Sequence, residues 1–269
     1  MTHLDIPVSP ESVLVEREQL CQIAQAALSA ARLLMETGAP ATIVHEECRR
    51  VVHGLGAQHV DLRSGYASLD ITIRQGGVDL TRMMEVGPLG VNYRLAHAVR
   101  ALVTRIADGE VTCAEAVSEL TRLEKGTPRH APWVVAVATG AACAAFGRLL
   151  GMDWPAFIPV LASGFVGQWI RQLLLRHRVN AFVVAAFVAF VASGLGGLGS
   201  RFAGSTTLVL AMVASVLLLV PGVPAVDAQF DVMQGHPTLG TARGVVVCMT
   251  VIFMATGVLI AGLLLGVLR

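Results

Sequence analysis

The sequence predicts an α-helical membrane protein, with an N-terminal cytoplasmic α+β domain followed by a five-helix transmembrane bundle. Three observations carry that prediction. Of 269 residues, 54% are hydrophobic and only 14% charged, where ordinary globular domains carry about 25% charged residues. The charge is also uneven: residues 1–130 hold 29 of the 39 Asp, Glu, Lys and Arg residues, and residues 131–269 hold ten. Finally, helical and alternating apolar patterns in the first part give way to long uncharged runs in the second. A formal net charge of +1 provides no electrostatic footprint for nucleic acid.

The chain opens MTHLDIPVSPESVLVER, without the basic and apolar regions of a secretory signal, so the first part is expected to stay in the cytoplasm. The five cysteines, Cys21, Cys48, Cys113, Cys143 and Cys248, are scattered and form no C-x-x-C pair, which encodes neither a disulfide framework nor a zinc site. From Val13 to Met35 apolar residues recur at helical spacing, and Gly38 is a natural stop. Thr42 is placed to cap a second helix carrying Val44, Cys48, Val51 and Val52 inward. His59 to Val86 then alternates apolar and polar residues, with Gly65 and the Gly76-Gly77 pair at turns, as two or three antiparallel strands would. Helices resume from Asn92 to Ile106 and from Thr112 to Leu123.

Nothing in this first part demands catalysis. His45 and Arg49, like Glu46 and Arg50, share a helix face, so surface i,i+4 pairs are expected there. H-E-x-x-H, G-x-S-x-G and glycine-rich phosphate loops are absent from this part of the sequence. The chain is therefore expected not to be an enzyme, and no cofactor, metal or catalytic residue is predicted.

The second part, 131–269, contains five apolar stretches, expected as helices over about 132–150, 154–174, 179–199, 204–223 and 243–268. The last three are uncharged over 22, 25 and 25 residues, whereas the first two require Arg148 and Arg171 to snorkel or to face protein. With the first part in the cytoplasm, that side carries Arg122, Lys125, Arg129, Arg171, Arg176, Arg178 and Arg243, against Arg148, Arg201 and Arg269 opposite. This bias puts the C-terminus outside. Gly147 and Gly151, Gly262 and Gly266, and the run SGLGGLGS suggest close helix packing and surface left for a partner.

Leu217–Arg243 is the most informative segment. Pro221, Gly222 and Pro224 break the fourth stretch, and broken helices at membrane depth line cavities where transporters place solute. Asp227 and Asp231 follow four residues apart on one face of a short helix that Gly235 can stop, with His236 and Pro237 next. That helix either borders an aqueous cavity or lies flat at the cytoplasmic surface. On the second stretch, Gln168 and Arg171 lie one turn apart, and Arg171 is suited to a bidentate carboxylate pair or to interfacial anchoring.

The run ASVLLLVPGVPAVDAQFDVMQGHPTLGTAR, the segment WIRQLL (Trp169–Leu174) and GAPATIVHE (Gly38–Glu46) resemble the threonine/serine exporter family from about Leu20 onward. Family members carry a cytoplasmic domain and ten spans, or divide the ten between two polypeptides. With five stretches, this chain resembles the longer subunit of the split form. The resemblance implies export of small metabolites, threonine and serine for fused members and succinate for the split type. It also implies a partner, a small membrane protein of the same family supplying the second set of spans. The family pattern falls on Pro221, Gly222, Pro224, Asp227, Gly235, His236, Gly240 and Arg243, with Arg171 from the second stretch.

The expectation is thus a subunit of a two-component inner-membrane exporter of small carboxylates, oligomeric in the lipid bilayer. Its candidate substrate-binding residues are Gln168, Arg171, Pro221, Gly222, Pro224, Asp227, Asp231, His236 and Arg243. The alternatives are a membrane-tethered sensor or hydrolase-like enzyme working through the N-terminal domain, and an assembly subunit with no pathway of its own.

Overall fold

The computed structural model describes residues 10–128 and 130–267, with the side chains of 10–15 and 218 outside the description. Arg129 and Arg269, counted above for orientation, lie outside the described residues. The chain groups into two compact units. One comprises the residues up to Pro128 together with Val226–Arg243; the other comprises Arg129–Ala225 with Gly244–Arg269. A composition boundary near residue 130 leaves Val226–Arg243 with the second part, whereas its contacts place it with the first.

In the first unit, α1 (Pro10–Glu36) buries Leu20, Ile23, Leu28, Leu33 and Leu34 along one stripe. It ends where Gly38 adopts φ +88° and the N–H groups of Gly38 and Ala39 close on the carbonyls of Met35 and Leu34. Only glycine enters that region without strain. α2 (Ala41–Gly54) turns Val44, Cys48, Val51 and Val52 inward. Burial pushes the Cys48 thiol up to about 12, so it acts as a small hydrophobe.

The strands β1 (His59–Ser64), β2 (Ser68–Gln75) and β3 (Val78–Glu85) form an antiparallel sheet in chain order. Alternation on β2 puts Leu69, Ile71 and Ile73 in the core and Asp70, Thr72 and Arg74 on the other face. Gly76 and Gly77, at φ +57° and +83°, form the tight two-residue turn between β2 and β3. α3 (Tyr93–Ala107) is capped by Asn92, and α4 (Cys113–Gly126) by a reciprocal capping box of Thr112 and Glu115. The surface pair expected between Glu46 and Arg50 is replaced by a buried one. Glu47, 2% exposed, accepts from Arg50 (3.0 Å) and from Arg100 on α3 (2.9 Å), while Glu46 faces outward. Position 47 lies beside Val44 and Cys48, so helix geometry draws it toward α3.

In the second unit, α5 (Pro132–Leu149), α6 (Phe157–Arg176) and α7 (Ala181–Phe202) are long and apolar enough to cross a membrane. So is α10 (Pro237–Leu264), whose first turns belong to the first unit. Among the described residues these are four such helices, not five. The helix expected over 204–223 is instead α8 (Leu208–Ala214), a 3-10 turn at Leu217–Leu219, and α9 (Gly222–Met233). The break comes at Ser215, six residues before Pro221. There, Ser215 donates to the carbonyl of Ala211 (2.8 Å) and accepts from Ser163 on α6 (2.8 Å), with Gly196 of α7 packed directly against it. Val220 is then extended, as the residue before a proline prefers. Likewise α10 starts at Pro237 rather than near 243, because proline's fixed φ suits a first helical position.

Glycine packs these helices, though not by the spacing expected. Gly151 (φ +97°) and Gly266 (φ +64°) end their helices in the left-handed region, with no neighbour near the position a side chain would occupy. The close approaches include the expected Gly147 (on Met152 and Ala214) and Gly196 and Gly197 of the SGLGGLGS run, together with Gly140 on Leu161 and Phe165, Gly164 on Cys143, and Gly257 on the carbonyl of Ala186. The turns 150–156 and 203–207 are tied together by Asp153. Its carboxylate accepts from the Ser205 hydroxyl (2.7 Å) and the Thr206 N–H (2.7 Å). Burial opposes ionisation of Asp153, but these donors prevail and hold it at about 2.

Candidate functional site

The sequence-predicted residues divide between the units. Gln168, Arg171, Pro221, Gly222 and Pro224 belong to the second, and Asp227, Asp231, His236 and Arg243 to the first. Gln168 is buried in α6, and Arg171 one turn on is exposed and makes no ion pair among the described residues. Pro221 and Gly222 mark the start of α9, with Pro224 in its first turn.

Three of the four residues of the first unit, Asp231, His236 and Arg243, belong to a clasp. α9 ends at a left-handed Gly235 (φ +89°), where the His236 N–H returns to the carbonyl of Asp231 (2.8 Å), and Pro237 then starts α10. Gly240 sits so close to Val232 and the Ala228 carbonyl that a Cβ would fall 2.6–2.7 Å from them, which keeps the two helices in tight contact. Leu239, 1% exposed, joins the core of the α+β fold.

On this hairpin Asp231 is completely buried. One carboxylate oxygen accepts the backbone N–H of Ala41 (2.8 Å) at the start of α2, and the other accepts Arg243 Nη1 (2.6 Å). Arg243 Nη2 donates to the Ala39 carbonyl (3.3 Å), while its Nε is buried without a partner among the described residues. Thr42, expected to cap α2, donates its hydroxyl to Gln234 instead. The N-cap position is Pro40, which offers no side-chain acceptor. Asp231 supplies from 190 residues away the acceptor that α2 lacks, at the end of the helix where a negative charge is favoured.

His45 and His236 complete the contact, with ring centroids 4.6 Å apart, and His45 Nε2 lies 3.0 Å from the Ser64 hydroxyl. His45 is lowered to about 4, first by burial, then by the neighbouring His236 and Arg49, with Asp231 pulling the other way. Asp227 is raised: burial disfavours its charge, Arg243 opposes that, and Asp231 adds to it.

The partners on α2 were missed in reading the sequence. One local signal was available: the segment Gly38-Ala39-Pro40-Ala41 starts a helix without Ser, Thr, Asp or Asn at its cap. Such a helix start needs an acceptor from elsewhere in the fold.

A family model described as "Putative threonine/serine exporter" matches residues 25–265. A "Probable succinate transporter subunit YjjP" of Klebsiella aerogenes is 29% identical over 87% of this chain and 90% of its own. The Escherichia coli protein of the same name is 27% identical over 92% and 96%. An uncharacterized protein of Haemophilus influenzae is 23% identical over 82% and 85%. No solved structure matches. The family match runs from within α1 to the end of α10 and so takes in both α2 and the hairpin that caps it; the chain belongs to the threonine/serine exporter family.

Proposed function

We propose that this chain is one subunit of a two-component inner-membrane exporter of small carboxylate metabolites, of the succinate or threonine/serine type. The observation that carries the reading is similarity along nearly the full length of two proteins each named a subunit of a succinate transporter. A subunit needs a partner, and a small membrane protein of the same family supplies the second set of spans. α10 fits such an assembly, since only 17% of its apolar window is buried within this chain.

Chain topology supports five crossings. The residues up to Pro128 and Val226–Arg243 fall in one unit, so an even number of crossings separates them. α5, α6 and α7 account for three, and the broken stretch from Leu208 to Ala225 makes the fourth. The tie from Asp153 to Ser205 and Thr206 fits, because alternating spans bring those two turns to one side. α10 is the fifth crossing and leaves the C-terminus outside.

Within this scheme Arg171 holds the substrate carboxylate, with Gln168 as a polar neighbour, because a guanidinium matches a carboxylate in two parallel hydrogen bonds. The break at Pro221, Gly222 and Pro224 exposes backbone groups for the rest of the solute. Asp231 and Arg243 are committed to each other, so Asp227, with its raised affinity for a proton, carries the coupling proton at the cytoplasmic entrance. His236 positions the hairpin. Arg171→Gln is expected to abolish export while the protein still reaches the membrane in normal amount. Unchanged export by a membrane-inserted Arg171→Gln protein would remove Arg171 from the pathway.

A further inference from the structure

Beside the clasp, a hollow of about 110 Å³ opens between α2 and the outer edge of β1, lined by His45, Arg49, Val60, Asp61 and Leu62. β1 is an edge strand, paired only with β2, so this side of it carries backbone groups without a ladder partner. The volume accommodates several waters or a small anion of equivalent bulk.

The charges around it are not balanced internally. Arg49 is exposed and makes no hydrogen bond or ion pair among the described residues, unlike Arg50 and Arg100, which both pair with Glu47. His45 lies one turn before it on α2, and His236 approaches His45 from the hairpin. The acidic residue of the rim, Asp61, is engaged by Arg74 of β2 (3.2 Å), and Asp231 is closed off by Ala41 and Arg243. One guanidinium and one imidazole, Arg49 and His45, therefore line a small polar hollow, with His236 against His45 and the rim carboxylate of Asp61 drawn toward Arg74.

We propose that this hollow binds a small carboxylate anion, which Arg49 grips and the His45 imidazole supports, fastening the hairpin to α2 through the contact of His45 with His236 when the anion is present. The site would read the cytoplasmic concentration of the solute; identifying that anion with the exported one rests on the exporter reading, whereas the site does not. A bound anion also offsets the influences that hold His45 low, namely burial, His236 and Arg49, to which Asp231 is already opposed and Asp61 stands nearest on β1. Binding therefore takes up protons and tightens as pH falls.

The test is calorimetric titration of the purified full chain in detergent with succinate, threonine and inorganic phosphate as separate probes. An Arg171→Gln background weakens the proposed pathway site, and the further loss on replacing Arg49 then reports on this hollow. Succinate or threonine is expected to bind, several-fold more tightly at pH 6 than at pH 7.5. Adding Arg49→Gln, an exposed change that leaves the core intact, should weaken binding roughly ten- to hundredfold, the worth of a hydrogen bond to a charged group. Equal affinity with and without Arg49, binding of phosphate but neither carboxylate, or no binding at all would each overturn the proposal. None of these results bears on whether Arg171 supports export, which efflux measures separately.

Discussion

Asp231 and Arg243 show how burial turns a charge into a commitment. With side chains 0% and 3% exposed, neither can lose the other without leaving an ion in a poorly solvated place, which costs about 3–5 kcal/mol. Asp231→Asn is therefore expected to destabilise the first unit by about that amount, measured by chemical denaturation of the detergent-purified chain. Joint replacement of Asp231 and Arg243 by Leu and Met should recover much of the loss. His45 adds a pH dependence of definite sign. Its folded value, about 4, lies below its ordinary 6.5, so the unfolded chain binds more protons between the two. The contribution is complete above about pH 6.5 and fades as pH falls toward 4. A melting temperature that drops across this window, and drops less in His45→Gln, is the expected result.

Elements were read with uneven success, for reasons that particular residues make plain. α1 to α4 and the three strands follow from local signals: Gly38, the Gly76-Gly77 turn, Asn92, and the Thr112–Glu115 box. Of the four long apolar helices, α7 and α10 follow from long uncharged runs, whereas α5 and α6 carry Arg148 and Arg171 within them. The fourth stretch misled, because Val216–Val220 is an unbroken apolar run whose 3-10 turn depends on Ser163 and Gly196, residues on other helices. Hydrophobic periodicity carries no information about partners so far along the chain. The same limit hid the capping of α2 by Asp231, although Pro221, Gly222, Asp231 and Arg243 were all conspicuous. Spacing also overstated the glycine pairs, since a glycine at a helix end and one at a helix contact look alike in sequence. The structure separates them: Gly140→Leu would drive a side chain into Leu161 and Phe165, where there is no room. It should sharply reduce folded protein in the membrane, scored by detergent extraction and size-exclusion chromatography. Gly266→Asn, at a left-handed helix end, should be tolerated.

For the whole molecule, the clasp changes what the family-specific run is for. Three of the nine candidate residues, Asp231, His236 and Arg243, are engaged in that clasp. They bind the hairpin of α9 and α10 to the start of α2, and α10 continues to Leu264 as an apolar helix. An anion-dependent or proton-dependent change in the clasp would thus act on a helix that itself crosses the membrane. In the proposed exporter, the solute-handling task falls to Arg171, Gln168 and the broken stretch, together with a second subunit. The most direct measurement is efflux from cells preloaded with labelled succinate or threonine, expressing this chain alone, with its partner, or with neither. One solute leaving the cells only when both chains are present is the predicted result. No efflux of either solute, with both proteins demonstrably in the membrane, would contradict the exporter account.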